Sequence, residues 1–179
     1  MGFTPRETER LILRPIEIDD WPWIHRYMSD PEVTAWLPEG MLNDEQSMAF
    51  AARHAGEDAE ALALLDKASR ALLGHMVFHP WFAPRTHEIG WVLARQHQGR
   101  GYATEAARSL IGYPFETLGS HRVIATCQPQ NPASWRVMEK LGMRREAHFH
   151  KCLLQPAGDW WDEYLYAILA EEYFAGAGR

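Results

Sequence analysis

The sequence predicts a mixed α/β (α+β) fold, with a central sheet of six to seven strands flanked by about four helices. Three observations predict it. Two capped helical segments follow a short apolar strand near the start, a meander of apolar runs fills the middle, and a strand-helix-strand-helix unit comes next. With 179 residues, 46% of them hydrophobic, and 8 Trp, the chain can build one core. No repeat, low-complexity run or Pro/Gly/Ser linker divides it, so a single domain over residues 1–179 is expected.

"ETERLILRPI" is a short strand, and "DDWPWIHRYMSD" a helix with Asp19 or Asp20 as cap and a proline in its first turn. "LNDEQSMAFAARHA" is a second helix, capped by Asn43 or Asp44 and ended near Gly56. Two apolar strands near residues 61–66 and 71–79 form a hairpin through "KASR", and the loop "WFAPRT" leads to a strand at 87–94. A helix from about 101 to 117 and a strand at 121–128 follow. "NPASWRVMEKLG" is a helix with Asn131 as cap, Pro132 at its first position and Gly142 as stop. Strands near 146–154 and 161–169 precede a frayed "AGAGR" tail. Pro114 interrupts its helix by removing one N–H and crowding the Leu110 carbonyl, so a kink or early end is expected there.

The charge balance excludes some functions. A net charge of -6, from 18 Lys+Arg against 24 Asp+Glu, disfavours direct nucleic-acid binding and suits a cationic partner. "MGFTPRETERLILRP" offers charges and only a three-residue apolar run, so neither a signal peptide nor a membrane span is expected and cytoplasmic residence is the default. Cys127 and Cys152 lack CxxC or Cys/His spacing, which favours buried free thiols over a disulfide or metal ligands. The 9 His are scattered without HExxH or another short ligand pair, so no metal is expected.

The chemistry concentrates in "EIGWVLARQHQGRGYATEAARSLI", a strand, a turn with two glycines, and a helix. Unpartnered N–H groups and the helix dipole make such a helix start an anion site. Glycine at 99 and 101 lets the main chain approach a diphosphate, and Arg95, Arg100 and Arg108 face only Glu105. A P-loop needs Gly-Lys, which is missing. The dinucleotide fingerprint GxGxxG fails at Thr104.

The pattern that fits is Gln98, Gly101 and Ala103 as Gln-x-x-Gly-x-Ala, and it resembles the coenzyme A pyrophosphate loop of the GNAT (GCN5-related) N-acetyltransferases. Asn131, Ser134 and "EKLGM" match the second coenzyme motif of that family. The opening "TERLILRPIEIDDW" and the closing "DWWDEYLYAIL" resemble its RimJ/RimL ribosomal-protein acetyltransferases, so the likeness runs from about Glu7 to Glu172. The resemblance implies a GNAT fold and acetyl-CoA as co-substrate, without metal. It implies coenzyme contacts from Val92, Leu93, Gln98, Gly99, Arg100, Gly101, Tyr102, Ala103, Thr104, Asn131 and Ser134. It also implies direct acetyl transfer to a primary amine, either a peptide N-terminus or a small molecule.

Such a transfer needs a base for the ammonium, donors for the oxyanion and a proton for the thiolate. Glu88, at the start of the strand, is the candidate base, and a solvent-facing strand-start carboxylate is the competing role. Ser134 is the candidate acid, with service to an orphan helix N–H as its alternative. Asn131 resembles the residue that holds the pantetheine arm and can cap its helix as well. A backbone N–H near Val92 or Leu93 is the expected oxyanion donor. Trp21, Trp23 and Trp36, with acidic Glu32, Glu39 and Asp162, are candidates to hold a cationic acceptor. Core packing or a homodimer contact competes for any single Trp, and a strand-start role competes for Asp162. The competing function is a non-catalytic acyl-CoA-binding or interaction module.

Overall fold

The computed structural model describes residues 3–56, 59–82, 84–155 and 158–177. Among the described residues eight strands and six α-helices follow in the order β1 (Arg6–Glu7), β2 (Leu11–Pro15), α1 (Trp21–Met28), α2 (Pro31–Thr34), α3 (Asp44–His54), β3 (Ala61–Asp66), β4 (Leu72–Pro80), β5 (Thr86–Leu93), α4 (Tyr102–Glu116), β6 (Arg122–Cys127), α5 (Pro132–Lys140), β7 (Arg144–Leu154), β8 (Trp160–Leu169) and α6 (Ala170–Ala177). The strand order is β1-β2-β3-β4-β5-β6-β8-β7. The mixed α/β fold is as expected. β1 is the extra strand, split from β2 by a turn in which the Thr8 N–H donates to the Leu11 carbonyl, and α2 and α6 are the extra helices. Two compact units divide the chain, residues 1–79 with 91–110, and residues 80–90 with 111–179.

In the first unit β2 pairs antiparallel with β3, and β3 with β4. Five successive residues of β3, Ala61 to Leu65, are buried, because apolar neighbours cover both of its faces. Ile12, Ile16, Ile24, Tyr27, Met28, Ala51 and Val92 form the core beneath α1 and α3. Gly74 in β4 is required by close approach, since a Cβ there would stand 2.0 Å from the Val92 carbonyl oxygen. α3 starts with the expected Asn43 cap, as a reciprocal box in which Asn43 and Gln46 each accept the other's backbone N–H at 2.9 Å. Asp20 departs from expectation. It precedes α1 but makes no side-chain cap, because its carboxylate takes the Arg14 guanidinium at 2.7 and 2.8 Å and the Glu17 N–H at 2.9 Å.

In the second unit Thr86 to Glu88 run parallel to Arg122 to Ile124, and β8 pairs antiparallel with β6 and β7. Ile124, Leu165 and Ala167 are its buried centre, with Trp81 and Ala147 packed against them. Asn131 and Pro132 open α5 as expected, with the Asn131 Oδ1 accepting the Ser134 N–H at 3.2 Å. α4 runs to Glu116, close to the expected end, so the early end expected at Pro114 does not occur. Phe115 stacks on Tyr173 at 4.8 Å and the Pro114 carbonyl accepts the Ser120 N–H. The expected frayed tail is helical up to Ala177, because the Tyr173 hydroxyl of α6 donates to Glu116 at 2.6 Å. Gly178 and Arg179 of that tail, and Ala83 of the "WFAPRT" loop, lie outside the described residues.

Candidate active site

β5 ends in buried Val92 and Leu93, and a tight turn over Arg95–His97 leads to Gln98. The Gln98 side-chain amide folds back and donates to the Leu93 carbonyl at 3.0 Å, which pins the start of the loop to the strand. Gly99 and Gly101 both take left-handed conformations, with φ of 71° and 81°. Nothing lies within 4 Å of a Cβ built at Gly99, so backbone conformation rather than crowding calls for glycine there. Left-handed residues alternating with Arg100 give the kind of turn whose N–H groups make an anion-binding concavity. Tyr102, Ala103 and Thr104 then open the fifteen-residue α4, whose first N–H groups have no partner within the helix. The residues present therefore fit a diphosphate.

The electrostatics of the turn differ from the sequence count in two ways. Glu105, the acidic residue set against its arginines, accepts the Thr8 hydroxyl at 2.5 Å, the Arg10 N–H at 3.0 Å and the Arg10 guanidinium at 2.6 Å. Burial pushes its carboxyl up, but these hydrogen bonds outweigh burial and hold it below the usual range. Arg10 also covers the Tyr102 ring at 4.5 Å and donates to the Arg100 carbonyl at 3.2 Å. Arg95 is engaged by Glu32 at 2.6 Å. Both are therefore paired: Arg10, which the sequence pattern did not single out, offsets Glu105, and Glu32 offsets Arg95.

In the second unit, half-buried Glu88 accepts the Thr126 hydroxyl at 3.0 Å. Glu163 lies within reach of the same hydroxyl, whose single proton can serve only one of the two carboxylates at a time. Burial raises the Glu163 carboxyl above its ordinary range, the Thr126 hydrogen bond works against this, and the Glu88 charge adds to the rise. Glu88 and Glu163 thus sit about one hydroxyl, and Glu163 holds its proton to a higher pH than an ordinary carboxyl. Glu163 and Thr126 escaped the sequence reading. Their only signal was that Glu163 follows Asp162 in a strand, where adjacent side chains face opposite ways.

Ser134, half-buried in the first turn of α5, hydrogen-bonds the Cys127 sulfur. Burial pushes the Cys127 thiol up to about 12 in spite of this bond. Cys127 is buried and free, as expected, whereas Cys152 is exposed. Cys152 stands where the β7/β8 register shifts between Phe149 and Leu153, which turns it away from the core.

The acceptor candidates separate. Trp21 packs against the core of the first unit, Trp36 is half-buried beyond α2, and Asp162 is held by His148 and His150 at 2.7 and 3.1 Å. Trp23, with Arg26 at 4.1 Å over its ring, instead lines a cleft of about 440 Å³ together with Tyr27, Leu72, Arg95 and His97. Among the described residues, no helix is long and apolar enough to cross a membrane.

Residues 10–144 match the Acetyltransferase (GNAT) domain family. The chain is 46% identical over 167 residues to the uncharacterized N-acetyltransferase YnaD of Bacillus subtilis (strain 168), covering 93% of this chain and 97% of that protein. It is 30% identical over 88 residues to the ribosomal protein uS5-alanine N-acetyltransferase of Escherichia coli (strain K12), covering 49% of this chain and 45% of that protein. This agrees with the RimJ/RimL resemblance. A solved acetyltransferase of the GNAT family from Bacillus anthracis superposes with a TM-score of 0.90 at 43% identity, covering 94% of this chain and all of that one. The chain thus belongs to the GNAT family and is an acetyl-CoA-dependent N-acetyltransferase.

Proposed function

We propose that this enzyme moves an acetyl group from acetyl-CoA directly to a primary amine within a ternary complex, with Glu88 as the base and Ser134 as the acid. The observation that carries the reading is the turn of left-handed Gly99 and Gly101 that opens α4 at the end of the strand bearing Glu88. Gln98, Arg100, Tyr102, Ala103 and Thr104 complete the diphosphate cradle, and Asn131 takes the pantetheine arm. Bound acetyl-CoA supplies an activated thioester. Glu88 removes a proton from the acceptor ammonium, backbone N–H groups near Val92 or Leu93 hold the carbonyl oxygen, and Ser134 delivers a proton toward the leaving sulfur.

The acceptor decides how much base is needed. An α-amine of pKa near 8 is about a tenth neutral at pH 7, whereas a lysine-like amine near 10.4 is neutral to about one part in a few thousand. A half-buried carboxylate set against a second one can serve either. The net charge of -6 favours a cationic acceptor. A family relative that acts on a protein alanine makes a peptide N-terminus the first class to test. Trp21 and Trp36 stay as acceptor candidates and Trp23 at the cleft joins them, whereas both oxygens of Asp162 are engaged by His148, His150 and the Lys151 N–H, which disfavours it as an acceptor residue.

The test is thiol release from acetyl-CoA with a panel of free and N-blocked peptides, polyamines, amino acids and aminoglycosides. Turnover on a free amine and none on its blocked counterpart is expected. Coenzyme binding without turnover on any amine would instead identify a non-catalytic binding module.

A further inference from the structure

We propose that His148, His150 and Asp162 form a binding site for a divalent transition-metal ion, Zn²⁺ first among them, which clamps β7 to β8. One ligand atom from each of the three lies within 4.8 Å of the other two. The His148 Nε2 stands 2.7 Å and the His150 Nδ1 3.1 Å from the same Asp162 oxygen, Oδ2. Zn–N and Zn–O bonds of about 2.0–2.1 Å at tetrahedral angles separate ligand atoms by about 3.3 Å, so small side-chain rotations admit the ion.

The backbone builds this arrangement. β7 and β8 lose their regular register between Phe149 and Leu153, and within that bulge Lys151 adopts φ of 47°, an uncommon conformation for a residue with a side chain. The bulge turns the Lys151 N–H onto the other Asp162 oxygen, Oδ1, at 2.8 Å. That bond fixes the carboxylate and leaves Oδ2 directed at both imidazoles, the orienting role that outer partners play in metal sites. The His148 and His150 ring centres are 4.1 Å apart, and the Tyr164 ring braces His148 edge-on at 4.8 Å. His150 is 74% exposed, so an ion can enter and keep a water as its fourth ligand. Two imidazoles and one carboxylate suit zinc, cobalt or nickel better than calcium or magnesium, which favour all-oxygen sets. The expectation of no metal took the histidines as scattered, although His148-x-His150 is a short pair in the sequence. The carboxylate that completes the set comes only across the hairpin of β7 and β8.

The site is tested on the full chain, stripped with chelator and desalted, by calorimetric titration with Zn²⁺ and by the visible absorption of Co²⁺. One ion per chain is expected. His150→Ala should weaken Zn²⁺ binding at least tenfold, the scale on which metal affinity responds even to loss of outer-shell partners. His148→Ala/His150→Ala should abolish both the heat and the cobalt band, and Cys152→Ser should change neither. Because His150 is so exposed, His150→Ala should keep the wild-type circular dichroism and metal-free Tm, and should lose only the Tm rise that Zn²⁺ gives the wild type. Equal Zn²⁺ affinity in the wild type and the double variant overturns the proposal. So does loss of binding in Cys152→Ser alone, or no binding by the wild type.

Discussion

Glu88 and Glu163 meet at the Thr126 hydroxyl, and their different surroundings give each carboxylate its own test. Glu88→Gln should lower kcat by about a hundredfold or more, the scale of general-base catalysis, while the Kd for acetyl-CoA stays unchanged and part of the loss returns at high pH. Wild-type turnover of this variant at pH 7 would remove Glu88 from the base role. Glu163 holds its proton to a higher pH in the folded chain than in the unfolded one, mainly through burial. The native state therefore binds more protons between the ordinary value of 4.5 and the raised one, and stability falls as pH climbs through that window and stays lowered above it. Glu163→Gln should accordingly raise Tm at pH 8 by about 1–2 °C for a chain of this size and leave it unchanged at pH 4, while turnover falls. Thermal scans at the two pH values check the sign. Glu88 could be named from its place before the glycine turn. Glu163 could not, because only the pairing of β6 with β8 brings it to Thr126.

At the level of elements, the start of α4 is where stability and the proposed coenzyme binding meet. Gly101→Asp forces a side chain into φ of 81° and sets a negative charge beside the diphosphate, so the calorimetric Kd for acetyl-CoA should rise more than tenfold. An unchanged affinity would refute the loop assignment. Glu105, in the first turn of that helix, ties α4 to Thr8 and Arg10 and keeps its carboxyl below the ordinary 4.5. Its contribution is present above the unfolded value and is lost as pH falls through the lower folded value. Glu105→Gln should lower Tm at pH 7 and flatten the decline of Tm below about pH 4.5, which a pH series of melting curves would show. Helices whose caps stand beside them in sequence, α3 at Asn43 and α5 at Asn131, were legible in advance. Asp20 was misread because its partner Arg14 reaches it from β2, and the tail was misread because α6 is held by Glu116 of α4. The second contact joins residues 57 apart in the chain and the first only six apart but across a strand end, and periodicity and capping rules carry neither.

For the whole molecule, the question is whether acetyl passes through a covalent enzyme intermediate. Transfer through a cysteine needs a thiolate. With its thiol pushed up to about 12 by burial, Cys127 is ionised to only about one part in 10⁵ at pH 7, and its sulfur is bonded to Ser134 rather than to a histidine. Cys152 is exposed, but burial and the nearby Glu163 and Asp162 charges raise its thiol as well. The family and the strand-turn-helix order were readable from residues that carry their meaning locally, and neither decides this point. The thiol environments bear on it, and they exist only in the folded chain. Direct transfer therefore predicts intersecting double-reciprocal lines when acetyl-CoA and amine are varied together. It also predicts no acetyl adduct on the intact protein after incubation with acetyl-CoA alone, and Cys127→Ala and Cys152→Ser variants that turn over within about threefold of wild type. That margin is small beside the losses of a hundredfold or more that follow removal of a catalytic proton-transfer group. Parallel lines together with an acetylated Cys127 or Cys152 would show a covalent relay, and Ser134 would then act on an enzyme thiol rather than on the coenzyme sulfur.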